Sequence, residues 1–163
     1  MSFGEHIIQL NDAREMPLLG LGVYKATEDA ELKQAIGDAV SFGYHLIDTA
    51  SFYKNEEGIG KALKTLSIPR EDLFITTKIW NTAQRIGDIE DSFHRSLERL
   101  GLDYVDLYLI HWPVPGCFCD TWRAMEKLQD QGKIKSIGVS NFSIQDLETL
   151  MASTDIIPAV NQV

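Results

Sequence analysis

Cysteine is scarce in this chain, with two in 163 residues, Cys117 and Cys119. They lie too close together for an ordinary disulfide framework and are too few for a zinc site. They read as reduced thiols in a loop, the state kept in a reducing cytosol. Long apolar runs are also missing, and none approaches the ~20 residues needed to span a bilayer. Met1-Ser2-Phe3-Gly4-Glu5 has neither the basic nor the apolar region of a signal peptide. Basic runs are absent too: the formal net charge is -9, with no Lys/Arg stripe, which argues against nucleic acid and anionic membrane as partners. Asn141-Phe142-Ser143 matches the glycosylation sequon, but it carries no meaning without a secretion signal. Together these absences predict a cytoplasmic protein.

The composition itself, 44% hydrophobic and 24% charged, is that of a globular domain. His6 to Leu10 and Met16 to Leu19, joined through Asn11-Asp12-Ala13-Arg14-Glu15, read as a small hairpin. From there strands and helices alternate. Strands are predicted at Leu19–Tyr24, at Tyr44–Ile47 ending on Asp48, and at Leu73–Lys78. Three more are predicted at Val105–His111, Ile134–Val139 and Ile157–Val163. The helices between them begin after Thr27 as N-cap, at Asn55-Glu56-Glu57, over Asp88–Leu100, over Thr121–Gln131, and behind the box-like Ser143-Ile144-Gln145-Asp146. Gly43, Gly101 and Gly132 mark helix ends.

Serial βα units at a spacing of about 25 to 30 residues make a parallel sheet, as an open doubly wound sheet or a (β/α) barrel. The open dinucleotide-binding form should carry Gly-x-Gly-x-x-Gly after its first strand. Here Gly20-Leu21-Gly22 runs into Val23-Tyr24-Lys25, and Gly58-Ile59-Gly60-Lys61 lies inside a helical stretch. The polar strand ends favour the barrel. Asp48, Lys78, His111, Ser140-Asn141 and Gln162 close the second to sixth strands, and a barrel brings such ends to one mouth. Asp48 alone reads equally well as a turn cap with Tyr53 packed on it, and Asp48 with Lys78 as a plain buried ion pair. Five polar strand ends in succession point to a site.

Several segments now carry a resemblance: Leu19-Gly20-Leu21-Gly22, Ile47-Asp48-Thr49-Ala50 with Tyr53-Lys54-Asn55-Glu56, and Thr77-Lys78-Ile79-Trp80. Leu109-Ile110-His111-Trp112-Pro113, Gly138-Val139-Ser140-Asn141-Phe142 and Asn161-Gln162-Val163 complete the set. In this order and spacing the chain resembles the aldo-keto reductases. The resemblance implies a (β/α)8 TIM barrel that reduces carbonyls with NADPH at its mouth, the hairpin closing the far end. By position, Tyr53 would be the proton donor, Lys78 paired with Asp48 the cation that lowers the phenol pKa, and His111 the group that orients the carbonyl. Gly22, Val23, Tyr24, Asp48, Ser140, Asn141 and Gln162 would contact the cofactor, the last three at the nicotinamide carboxamide. Tyr24, Trp80, His111 and Trp112 would line the substrate pocket. No metal is implied.

The chemistry stands beside the family. A phenol titrates near 10, so it needs help to act as an acid at neutral pH. A lysine inside an apolar strand needs a partner, which Asp48 supplies. Two features depart from the family: Lys54 follows the tyrosine where a small residue is common, and the length is below the ~200 to more than 400 residues of such barrels. Residues 1–163 are therefore expected to form one domain, the N-terminal part of a barrel, without the segments that bind the cofactor's phosphates and adenine. The leading expectation is an NADPH-dependent reductase of aldehydes or ketones whose cofactor binding is completed by further sequence, residues 1–163 alone binding NADPH very weakly and turning over no carbonyl. The alternative is a non-catalytic regulatory or interaction module on a truncated barrel. The particular carbonyl and the oligomeric state are left open.

Overall fold

The computed structural model describes residues 6–163. The hairpin is present, with β1 (Ile7–Gln9) antiparallel to β2 (Glu15–Pro17). Six parallel strands follow: β3 (Gly20–Gly22), β4 (Leu46–Asp48), β5 (Phe74–Ile79), β6 (Val105–Ile110), β7 (Ile134–Ser140) and β8 (Asn161–Gln162). They pair strictly in chain order. A doubly wound sheet reverses its order at a switch point, and this one does not.

The sheet also curls. In a flat sheet β4 and β8, four steps apart, would be separated by about 19 Å. Yet Gln162 Nε2 of β8 donates to Asp48 Oδ2 of β4 at 3.1 Å. Only a sheet rolled toward a barrel brings these ends together. Inside the curl, Leu46, Phe74, Leu107 and Leu109 form a small apolar plug, with Met16 of the hairpin packed on it. The hairpin turn is tied to the same end, where Ser136 Oγ donates to Asp12 Oδ2 at 2.6 Å and Asn11 Nδ2 reaches the Ile157 and Pro158 carbonyls. The opposite, C-terminal end of the strands is left for chemistry.

The larger core lies outside the curl. There the alternate residues Ile47, Ile75, Tyr108, Ile110, Ile137 and Val139 face Leu32, Ile59, Phe93, Trp122 and Leu150 of the helices. These helices are α1 (Asp29–Ser41), α2 (Glu56–Leu63), α3 (Asn81–Ile86), α4 (Ile89–Leu100), α5 (Phe118–Asp130) and α6 (Ile144–Met151). The period-2 alternation sets both layers: one residue goes to the helices, the next to the barrel interior.

Several expected boundaries moved. The N-cap of α1 is Glu28 rather than Thr27, and no side chain caps it. Helix α5 starts at Phe118 rather than Thr121, which lies inside it and bonds back to the Cys117 carbonyl. Strand β3 is shorter than Leu19–Tyr24 because the chain turns at Tyr24 and Lys25. Strand β8 keeps two residues of the expected seven, Pro158 having no N–H for the ladder. Helix α3 was not anticipated, since six residues are too few to show a helical period. The capping box at Ser143 and Asp146 is present as expected.

Gly138, on the inner face of β7, gives a stability test. A Cβ there would stand 2.7 Å from the Val160 carbonyl oxygen and 2.8 Å from Leu109 Cδ2, whereas one on Gly37 in α1 meets nothing within 4 Å. Gly138→Ala should destabilise the chain by about 1–3 kcal/mol in urea melts. Gly37→Ala should be neutral or stabilising by up to about 1 kcal/mol.

Candidate active site

The mouth is built from strand ends and the turns that leave them. β4 ends on Asp48, inside the curl, and β5 carries Lys78 on the same face, 1% exposed at its side chain. Lys78 Nζ donates to Asp48 Oδ1 at 2.6 Å and to the Thr49 main-chain oxygen at 2.8 Å. Burial lowers the lysine's pKa, and the charge and hydrogen bond of Asp48 oppose that. After Asp48 a short 3-10 turn, Ser51–Tyr53, swings Tyr53 over the lysine, which lies 5.4 Å from its ring centroid. Lys54 ends this turn in the left-handed region at φ 58°. The substitution for a small residue is accommodated by backbone geometry that Gly would take more easily.

His111 follows β6 directly and is buried, its ring 5.7 Å from that of Tyr53 and 5.0 Å from that of Trp80. Burial and the nearby Lys78 charge lower its pKa to about 4. The imidazole is therefore neutral at pH 7, with one N–H to donate. Its Nδ1 is buried without a partner among the described residues.

Tyr24, Phe52, Tyr53, Trp80, His111 and Trp112 enclose a cleft of about 220 Å³. Phe52, which the sequence reading did not single out, stacks on Trp80 with ring centroids 3.9 Å apart. Its position next to Tyr53 was the only signal for it. Tyr24 leans on Tyr53 at 4.8 Å. The wall is thus aromatic and apolar, with a phenol and an imidazole as its polar points, a pattern suited to small organic ligands.

One expectation fails. Lys78 was expected to lower the Tyr53 pKa, but the phenol is held above its ordinary value of 10.0. Burial is the largest cause, followed by the charges of Asp48 and Tyr24. Asp48 pairs with the lysine and so cancels much of its pull on the phenol.

On the far side of the mouth, Ser140 ends β7 and Asn141 takes a left-handed φ of 60°. That conformation turns the Asn141 amide onto the His111 carbonyl and Ser140 Oγ, both at 3.0 Å. Ser140 Oγ in turn donates to the Gln162 main-chain oxygen at 2.9 Å. The amide oxygens of Asn141 and Gln162 accept no hydrogen bond among the described residues. Gly22, across the mouth, is exposed, and a Cβ there would meet nothing within 4 Å. Val23 is buried and donates its N–H to the Asp48 main-chain oxygen at 3.1 Å. Every sequence-derived site residue thus lies at this one end of the sheet. No group of three or more His, Cys, Asp or Glu side chains is poised to hold a metal among the described residues. No helix among them is long and apolar enough to cross a membrane.

Comparison with known proteins agrees with this geometry. The model of the aldo/keto reductase family matches residues 18–163. The chain belongs to the aldo/keto reductase family. It is 50% identical over 156 residues to the glyoxal reductase of Bacillus subtilis (strain 168), aligning 96% of this chain with 56% of that protein. An aldo-keto reductase from a Medee basin deep-sea metagenome superposes with a TM-score of 0.91 at 46% identity, covering 96% of this chain and 57% of that one. A Bombyx mori aldo-keto reductase in complex with NADP superposes with a TM-score of 0.85 at 37% identity, over 95% of this chain and 56% of that one. The chain therefore spans little more than half the length of these relatives. Aldo-keto reductases use nicotinamide cofactors, and the open amide oxygens of Asn141 and Gln162 fit the N–H groups of a carboxamide.

The interior pair and the histidine each give a prediction. Lys78→Met strands a largely buried Asp48 carboxylate and should cost up to about 3–5 kcal/mol. Adding Asp48→Asn should recover a large part of that, and denaturant melts that show simple additivity would mean the two groups do not interact. For His111, the unfolded imidazole titrates near 6.5 and the folded one at about 4. Between those values the unfolded chain holds more protons, so this contribution to stability, full above pH 6.5, is lost as pH falls toward 4. Melts of His111→Gln should show a shallower loss across that window, and NMR should place the wild-type midpoint near 4.

Proposed function

We propose that this chain carries the catalytic centre of an NADPH-dependent reductase that converts small aldehydes or ketones to alcohols. The observation that supports it best is the meeting of Tyr53 and His111 in one aromatic cleft, with the Lys78–Asp48 pair set against the Tyr53 ring. When bound, NADPH would supply the hydride for the carbonyl carbon. Ser140, Asn141 and Gln162 would hold its carboxamide, with Gly22 leaving the opposite side of the mouth open. The neutral His111 donates its N–H to the carbonyl oxygen and sets which face of the carbonyl lies toward the cofactor.

Tyr53 then gives its proton to that oxygen as negative charge develops there. A phenol raised above 10.0 stays fully protonated at neutral pH, and an alkoxide is still a stronger base than a phenolate. Transfer is therefore downhill once the hydride has moved far enough. Lys78, against the ring, offsets only the part of the phenolate's charge that Asp48 leaves it free to offset, and Tyr53, half-buried, regains its proton from solvent. The glyoxal reductase among the relatives supports a small 2-oxoaldehyde as a first substrate to try, and a cleft of about 220 Å³ accommodates one. A non-catalytic module would have no use for this set of four, and the named relatives are reductases.

Tyr53→Phe removes the hydroxyl and leaves the ring contacts with Tyr24 and His111. In a chain continued through the rest of the barrel, NADPH oxidation with glyoxal should fall by about 10²–10⁴. A variant retaining more than a tenth of wild-type turnover would remove Tyr53 from the role. Between pH 5 and 8 wild-type turnover should show no acid limb from His111, which stays neutral there.

A further inference from the structure

Asn55 stands where a helix cap belongs, at the start of α2, yet its side chain caps nothing. It is 3% exposed, and its amide is spent on the site instead. Asn55 Oδ1 accepts from Thr49 Oγ1 at 2.8 Å, and Nδ2 donates to the main-chain oxygens of Val23 and Ala26, each at 2.9 Å. Only a carboxamide offers an acceptor and two donors in one rigid plane. What it joins is specific. Thr49 is fully buried, and its carbonyl accepts from Lys78 Nζ. Val23 and Ala26 flank Tyr24, whose ring packs on Tyr53. Val23 also returns a hydrogen bond to the Asp48 backbone. One side chain thus links the segment that seats the lysine to the loop that backs the phenol.

We infer that Asn55 is a positioning residue that sets Lys78 against Tyr53 by clamping Thr49 to the loop bearing Tyr24. Its catalytic consequence rests on the reading of Tyr53 and Lys78 given above. Neighbouring polar groups do not duplicate the clamp. Ser51 Oγ reaches the Lys78 main-chain oxygen, and Glu56 binds Thr77 and Arg99 on the outer side of β5. Among the described residues, the lysine ammonium donates to Asp48 and to Thr49 alone. If Thr49 loosens, the ammonium loses one of its two acceptors.

The test separates positioning from mere bracing. The titratable groups facing Lys78 are Asp48, Tyr53 and His111, and all stay in place in each variant. The Lys78 titration is followed by NMR at its side-chain carbon in wild type, Asn55→Ala, Thr49→Val and Thr49→Ser. Loss of a hydrogen bond to the charged form lowers a lysine pKa. Asn55→Ala and Thr49→Val should each lower the midpoint by about half a unit or more, and the double variant should go no lower than the worse single. Thr49→Ser, which keeps the hydroxyl, should match wild type. In a chain continued through the rest of the barrel, the first two variants should lose about ten- to a hundredfold in kcat for glyoxal with KM changed less than threefold. A folded Asn55→Ala with an unshifted Lys78 midpoint overturns the proposal. Should Asn55→Ala fail to fold, an unshifted midpoint in Thr49→Val does the same. A wild-type chain continued through the rest of the barrel that reduces no carbonyl would sink the functional reading, while the lysine midpoint still decides the clamp.

Discussion

The Lys78–Asp48 contact is the constraint around which the mouth is arranged. A parallel strand buried on both faces has no place for a charge unless a partner is already there. Register supplies the partner: Asp48 pairs with Thr76 across the β4–β5 ladder, and Lys78 lies two residues further on, on the same inner face. A slip of one residue would turn the lysine to the helix-facing side, where the buried Glu56 carboxylate is already taken by Thr77 and Arg99. The pair therefore helps specify the register, and the register in turn fixes where the Ser51–Tyr53 turn emerges. Fold and site are set by the same two side chains.

The curl of the sheet does the rest. Six strands in simple order do not by themselves make a cavity, because a flat sheet would spread Asp48, His111 and Gln162 along a line. Two fastenings hold the curl. At the floor the hairpin is inserted against Leu46, Phe74, Leu107 and Leu109, with Asp12 tied to Ser136. At the mouth Gln162 reaches across to Asp48. Gly138 lets β7 approach β8 closely enough for the second fastening, since any side chain there would meet the Val160 carbonyl.

The barrel and its mouth were legible because they follow from period and punctuation. Alternating apolar strands, their polar last residues and the motif segments sufficed to bring Asp48, Tyr53, Lys78, His111, Ser140, Asn141 and Gln162 to one end. What stayed hidden depends on geometry with no one-dimensional signature. Helix α3 is shorter than two helical turns. Phe52 becomes a wall of the cleft only because a 3-10 turn stacks it on Trp80. Asn55 looked like the start of a helix, and its three bonds to the site run to residues as far as 32 positions away. Thr27 and Thr121 were misjudged for a common reason. A threonine can cap a helix, precede one or back-bond within it, and the choice lies with the backbone around it.

The direction of the phenol shift was the other miss, and it alters how the site works. A lysine alone beneath Tyr53 would pull the phenol down and leave part of it ionised, unable to donate. Paired with Asp48, the same lysine presents a near-neutral couple, and burial then dominates and keeps the proton on oxygen. The histidine is pushed the opposite way by burial and by the Lys78 charge, and rests neutral. At neutral pH the cleft therefore holds two neutral hydrogen-bond donors above one neutralised ion pair. In the proposed reading, these two neutral donors beside a paired charge meet an oxygen on which negative charge develops. Stabilisation that grows with charge in the transition state, and is small for the neutral carbonyl, is what lowers a barrier rather than merely tightening binding.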